Sequence, residues 1–379
     1  MAEPELQLID GFLKELWKHQ ASDLLLTAES PPLLRVDGVL RRMDGVLPLS
    51  RDDIERIVMS VLGEELHAQF RTAMEVDFSF GWADLARFRA NAFHQQGAAA
   101  LALRLIPYRI PGFDELGIPE AVDAMLKRLQ GLVLVTGPTG SGKSTSLAAM
   151  IDRINETRAC HIITIEDPIE YVYQHKLSAI EQREVGIDTH SFDRALRSAL
   201  REDPDVVLVG EMRDPETIAA ALTIAETGHL VFATLHTNGA VATINRIVDV
   251  FPAHQQDQVR NKLSFVLQGV ITQQLMPRAG QPGRCLAMEI LVPNSAIRNL
   301  IRENKIHQIY GSMQVGQDKH GMMTLNQSLM NLYLRRFISL EQALSQSNEA
   351  DELKGMVEQR AKSGNMPDQP RGGGQQQAR

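Results

Sequence analysis

Leu132-Val133-Leu134-Val135-Thr136-Gly137-Pro138-Thr139-Gly140-Ser141-Gly142-Lys143-Ser144-Thr145 is the stretch on which the fold turns. Leu132 to Val135 is an apolar run of the length of a buried strand, Gly137 to Ser144 fits the pattern GxxxxGK[ST], and an apolar helix is expected from about Lys143. Strand, glycine loop and helix in that order make a cradle for phosphate. The glycines let backbone N–H groups turn inward onto phosphate oxygens, and the helix N-terminus adds a positive partial charge. Lys143 reaches the terminal phosphates and the Ser144 hydroxyl ligates magnesium. A site for ATP and Mg2+ built from Gly137, Pro138, Thr139, Gly140, Ser141, Gly142, Lys143, Ser144 and Thr145 is therefore the first expectation.

Working outward, further short apolar runs alternate with helical patterns: Ile162 to Ile165, Val206 to Val209 and Leu230 to Leu235. That texture predicts an α/β domain around a parallel sheet, whose ligands bind at the carboxyl ends of the strands. Asp205-Val206-Val207-Leu208-Val209-Gly210-Glu211 reads as a buried strand ending in a carboxylate, suited to holding magnesium through water. Ile165-Glu166-Asp167-Pro168-Ile169-Glu170 crowds three carboxylates into five residues at another strand end. Such crowding is electrostatically costly without a cation. Glu166 or Glu170 could polarise an attacking water, while a solvated acidic turn around Pro168 would have the same composition. In Gly228-His229-Leu230-Val231-Phe232-Ala233-Thr234-Leu235-His236 the histidines stand seven apart, which would put them roughly 23 Å apart on an extended strand and on opposite faces. No shared metal is expected there. Either histidine could sense a γ-phosphate, or simply cap a strand with a polar end. Beyond Pro252, Val259, Leu263, Val266, Leu267, Val270 and Ile271 recur at helical period, predicting one helix that ends before Pro277.

Upstream of the loop the pattern differs. Residues 5 to 19 place Leu6, Ile9, Phe12, Leu13, Leu16 and Trp17 on one helical face. Strand alternation follows in Leu33 to Leu40, with Asp37-Gly38 as a hairpin turn, and in Val76 to Phe80, with a helix between the two blocks. Arg87-Phe88-Arg89-Ala90-Asn91-Ala92 alternates cleanly, so Arg87, Arg89 and Asn91 share one face and Phe88, Ala90 and Ala92 the other. This predicts a smaller α+β domain over residues 1–106, a Pro- and Gly-rich linker over 107–117, the P-loop domain with C-terminal helices over 118–363, and a disordered Gly- and Gln-rich tail over 364–379.

The 379 residues are 44% hydrophobic and 23% charged with a net charge of −8, the composition of a globular chain of two or three domains. The two cysteines, Cys160 and Cys285, are too few and too far apart for a disulfide scaffold or a zinc ribbon, and a reducing cytoplasmic compartment fits them. The acidic opening lacks a signal peptide, and no apolar run approaches the roughly 18 residues that span a bilayer, so any membrane contact is expected to be peripheral. Net acidity also lowers the expectation of a specific nucleic-acid partner.

In order and spacing these elements resemble the secretion and type IV pilus ATPases, and within them the PilT-like retraction motors. The resemblance rests on ASDLLLTAESPPLLRVDGVL at 21–40, RFRANAF at 87–93, GPTGSGKST at 137–145, IEDPIEY at 165–171, DPDVVLVGEMRD at 203–214, GHLVFATLHTN at 228–238 and AIRNLIRE at 296–303. It implies a RecA-like P-loop ATPase domain preceded by a PAS-like domain, assembled as a homo-hexamer that hydrolyses ATP at subunit interfaces to drive pilus disassembly. By the same resemblance Glu170 is the catalytic glutamate, with Glu166 as the alternative, and Glu211 is the Walker B carboxylate. His229 and His236 are the His-box pair, and Arg89 and Arg104 reach the nucleotide phosphates. The implied partners are an inner-membrane pilus platform protein, at the inner face of the cytoplasmic membrane, and a paralogous retraction ATPase. AIRNLIRE reads as a helix whose Arg298 and Arg302, at i and i+4, form a polar face toward a partner, toward a neighbouring subunit or toward solvent. Leu25 and Ser146 depart from residues common in relatives, away from the phosphate-binding positions. Competing readings are an accessory retraction paralogue, a pilus-assembly or type II secretion ATPase, a ring-shaped nucleic-acid translocase, and a nucleotide-gated ring without turnover.

Overall fold

In the computed structural model the described residues are 6–83, 85–315 and 321–362, so the expected tail at 364–379 lies outside them. The chain divides into two compact units, Met1–Ile110 and Pro111–Arg379.

The first unit is an antiparallel sheet backed by helices. Its strands are β1 (Asp23–Thr27), β2 (Leu33–Val36), β3 (Val39–Arg42), β4 (Glu75–Trp82), β5 (Ala86–Gln95) and β6 (Ala98–Pro107), in the order β3-β2-β1-β6-β5-β4. The β2–β3 hairpin closes through Asp37 and Gly38, both with positive φ, as the Asp-Gly signal requires. Alternation decides which face is covered. Leu24, Leu26, Phe88, Ala90, Ala92, Leu101 and Leu103 pack against Leu13 and Leu16 of the helix Asp10–Lys18 and Ile54 and Val58 of the helix Arg51–Val61. The connection to β4 holds that helix and a second, Glu64–Ala73. The opposite face carries the charges: Arg89 pairs across the ladder with Arg104, Arg104 with Asp23, and Asp23 with Arg35.

The second unit is a seven-stranded sheet of β7 (Gly131–Thr136), β8 (His161–Glu166), β9 (Ala179–Glu184), β10 (Val206–Val209), β11 (Leu230–Leu235), β12 (Leu267–Pro277) and β13 (Arg284–Leu291), in the order β13-β12-β7-β11-β10-β8-β9. All pairs are parallel except β12–β13. β7, β10 and β11 are buried at every position, which is why they read as continuous apolar runs.

The expected helix up to Pro277 is corrected. The helix Ala253–Val266 stops ten residues earlier than expected, and Leu267–Pro277 is a strand between β7 and β13. Apolar residues at 263, 266, 267, 270 and 271 fit a helical stripe by coincidence: the last three are buried because an inner strand is covered on both faces. Gly269 and the β-branched run Val270-Ile271-Thr272 were the discriminating signal. A Cβ at Gly269 would sit 2.4 Å from Met125 Sδ, so the backbone packs onto that side chain. Among the described residues no helix is long and apolar enough to cross a membrane. Phe232 on β11 is fully buried between β10 and β7; Phe232→Ala is expected to destabilise the second unit by about 3–5 kcal/mol, read from its chemical unfolding transition.

Candidate functional site

The carboxyl ends of β7, β8, β10 and β11 meet at the glycine loop that joins β7 to the helix Lys143–Thr157. Gly137 takes φ +139°, and a Cβ there would lie 2.4 Å from Gln273 O and 2.7 Å from Ser141 Oγ, so no other residue fits without moving the backbone. Ser141 Oγ is buried without a hydrogen-bond partner. An orphaned hydroxyl inside a glycine loop at a helix N-terminus is the donor set a phosphate would satisfy. Ser146 lies behind the loop and accepts from Gln273 Nε2 at 2.6 Å, clear of the phosphate side.

Lys143 Nζ folds back onto the loop, donating to Gly137 O at 2.8 Å and Pro138 O at 3.1 Å, with His236 Nδ1 at 3.4 Å. Burial holds its pKa below the usual lysine value, against the pull of Glu211 and Glu170. An ammonium only donates, so His236 Nδ1 accepts and its Nε2–H points at Glu211 Oε1, 3.2 Å away. Glu211 also receives Arg213 Nη2 at 2.8 Å. Burial raises the Glu211 pKa, but Arg213 and His236 outweigh it and the carboxylate stays below its ordinary value. The turn that presents Glu211 is fixed from both neighbours: Gly210 N–H donates to Ile165 O at 2.8 Å and Met212 N–H to Thr234 O at 3.1 Å.

The acidic cluster after β8 separates its members by environment. Glu166 is buried, accepting from Thr164 Oγ1 at 2.6 Å and Gln182 Nε2 at 3.3 Å, and burial pushes its pKa up to about 7. Glu170 is exposed, on the loop that Tyr171 ties to the glycine loop through Thr145 Oγ1, 3.0 Å from the phenol oxygen. The sequence reading passes over Tyr171 and Arg213; each directly follows a motif carboxylate or stands two residues beyond one, with a side chain that can hydrogen-bond.

The remaining expected residues lie elsewhere. His229 precedes the amino end of β11, its Nδ1 3.0 Å from Ile224 O and 3.2 Å from Thr227 Oγ1 at the end of the helix Pro215–Glu226. His236 follows the other end of β11, so the structure does not bring the two together. Arg89 and Arg104 stand side by side on the first unit's exposed sheet face, and Arg104 Nε donates to Asp23 at 2.9 Å. In the AIRNLIRE segment the helix Ser295–Arg302 forms, but Arg298 is not a free polar face. Its guanidinium is half-buried and donates to Ser264 O at 2.6 Å and Phe265 O at 2.9 Å, capping the helix Ala253–Val266. Arg302 instead lies over the exposed Phe265 ring, 5.8 Å from its centroid.

The raised pKa of Glu166 has a stability consequence with a definite sign. Between pH 4.5 and about 7 the folded chain binds this proton and the unfolded chain does not, so the contribution is fully present below pH 4.5 and lost as pH rises through 7. Glu166→Gln keeps the acceptor without the charge. It is expected to gain roughly 3 kcal/mol over wild type at pH 8 and nothing at pH 4.5, measured as the difference in unfolding free energy.

Residues 2–350 match the family described as Type II/IV secretion system protein. The chain is 50% identical over 326 residues to the type IV pilus retraction ATPase PilT of Pseudomonas aeruginosa, covering 86% of this chain and 94% of that one. It is also 50% identical over 323 residues to the twitching motility protein of Neisseria gonorrhoeae, covering 85% and 86%. Among solved structures, the pilus retraction motor PilT with bound ADP superimposes with a TM-score of 0.84 at 52% identity, covering 94% of this chain and all of that one. The chain belongs to the Type II/IV secretion system protein family, with the RecA-like secretion-ATPase fold in its second unit.

Proposed function

We propose that this protein is an ATPase motor that powers type IV pilus retraction. The observation that carries the reading is the convergence on Lys143: a P-loop lysine with His236 within hydrogen-bonding reach and under the electrostatic pull of Glu211 and Glu170, which come from two different strand ends. The half-identical relatives that are themselves named for pilus retraction and twitching motility support the cellular role.

The glycine loop from Gly137 to Thr145 binds the triphosphate, whose charge takes the place of the loop carbonyls as the partner of Lys143. Magnesium, held by Ser144 and through water by Glu211, would supply charge neutralisation on the phosphates. Glu170 is the base for the attacking water: it is exposed, whereas Glu166 is buried and committed to Thr164 and Gln182. His236 links Lys143 to Glu211, so withdrawal of the Lys143 ammonium toward the phosphates is relayed to Glu211 and Arg213. His229 serves as an anchor for the end of the preceding helix. Arg89 and Arg104 neutralise charge that develops in transfer. The antiparallel order β3-β2-β1-β6-β5-β4 of the first sheet, two three-stranded runs joined through the β1–β6 pair, supports reading that unit as PAS-like. We assign the assembly as a homo-hexamer that turns over ATP at its subunit interfaces. It acts on a pilus platform protein from the cytoplasmic face of the inner membrane.

Magnesium-dependent ATP hydrolysis, followed across protein concentrations that span assembly and with or without DNA, tests the reading. Glu170→Gln is expected to lower kcat by about 10²–10⁴-fold while ADP still binds. Lys143→Ala is expected to abolish nucleotide binding, and a deletion strain should keep its pili extended. Turnover that requires DNA would move the protein to a translocase role, and ATP binding without turnover to a gating role.

A further inference from the structure

Thr164 and Gln182 are register mates on the parallel pair β8–β9, as are Glu166 and Glu184. With a period of two, all four side chains leave the same face of the sheet. The crossover 167–178 runs over that face. Gln182 Nε2 donates to Tyr171 O at 2.8 Å, and Gln182 Oε1 accepts from Tyr173 N–H at 2.8 Å. The amide can face only one way: reversed, its oxygen would meet Tyr171 O and Glu166 Oε1, two acceptors. Glu184 Oε2 adds a third hold by accepting from Ile169 N–H at 3.2 Å. Glu170 therefore sits on a short span gripped on each side by β9.

The later half of the crossover is anchored separately. Asn155, buried in the helix Lys143–Thr157, donates to Gln174 O at 2.8 Å and accepts from Lys176 N–H at 3.1 Å and Ser178 N–H at 3.3 Å. Loss of the Gln182 contacts thus loosens the span that carries Glu170 on its Tyr171–Tyr173 side, while Glu184 still holds Ile169 and Asn155 still holds the later half of the crossover. On its other side that span reaches the glycine loop through the Tyr171 hydroxyl and Thr145 Oγ1.

We propose that Gln182 is a positioning residue for catalysis, its side-chain amide clamping the main chain of the Glu170 loop at Tyr171 and Tyr173 and so setting the Glu170 carboxylate against the P-loop. The inference rests on the reading of Glu170 as the base. A clamp of this kind acts on the transition state and not on nucleotide affinity, because it touches neither the glycine loop nor Lys143.

The test compares Gln182→Leu, Gln182→Glu and Glu170→Gln, singly and combined, by steady-state ATP hydrolysis, fluorescent-ADP affinity and thermal unfolding. Gln182→Leu is expected to lower kcat by about 10²-fold, the scale of a misplacement near 1 Å, with ADP affinity changed by less than about twofold. Gln182→Glu keeps the acceptor for Tyr173 but sets a second carboxylate against Glu166. Its kcat is expected to recover as pH falls and the pair shares a proton, a pH profile that a purely structural role would not produce. On the Glu170→Gln background, Gln182→Leu should cost nothing further, since both act through one group. Wild-type kcat in Gln182→Leu, ADP affinity falling in step with kcat, or losses that multiply in the double variant would each overturn this inference alone. Wild-type turnover by Glu170→Gln overturns the base reading, and this inference with it.

Discussion

The half-buried ammonium of Lys143 is the constraint around which the second unit is arranged. Burial disfavours its charge, and its nearest partners are two loop carbonyls and an imidazole nitrogen. Glu211 and Glu170 favour the charged form from a distance, without outweighing burial. A cation held this way is poised for an anion that brings its own charge, which two carbonyl dipoles cannot replace. The backbone serves the same end. Gly137 must be glycine because the loop closes against Gln273 O, and Ser141 Oγ is buried without a partner at that closure.

Sheet topology puts the right groups near that cation. Chain order runs β7, β8, β9, β10, β11, but in space β7 neighbours β11 and β12 while β8 lies two strands beyond β11. The order reverses at the glycine loop, and at such a switch point the loops after the strands splay apart and leave a crevice. Three strand ends deliver Glu170, Glu211 and His236 to it from well-separated parts of the sequence. The turn after β10 is tied to both adjoining strands, through Ile165 O and Thr234 O, so movement of Glu211 is resisted by the sheet.

How much of this was legible depended on how local the cause was. The glycine loop, the buried strands β7, β8, β10 and β11, and the alternating face of Arg87, Arg89 and Asn91 follow from composition and period within a few residues. β12 was misread because burial on both faces erases the strand period, leaving residues 263 to 271 to mimic a helix. β9 gave no apolar run at all: Ala179-Ile180-Glu181-Gln182-Arg183-Glu184 is an edge strand whose polar side chains hold a loop. Arg298 was legible as helical but not as buried, since its partners, Ser264 O and Phe265 O, are main-chain groups that no side-chain pattern reveals. Likewise the chain Lys143–His236–Glu211–Arg213 joins residues whose proximity only the sheet order creates.

The two glutamates after β8 show how the fold assigns different tasks to like groups. Glu166 is the last residue of the strand, so its side chain shares the covered face with Thr164 and Gln182, and burial drives it toward neutrality near pH 7. Glu170 lies four residues on, past Pro168, in solvent. Had both been buried side by side, repulsion would have left one of them protonated. Removing one from solvent leaves the other open to water, and turns the buried member into part of the support for the loop that presents its neighbour. A pair of carboxylates that looks redundant in sequence is thus divided by one strand end: the residue on the sheet is a brace, and the residue beyond it is the one that water can reach.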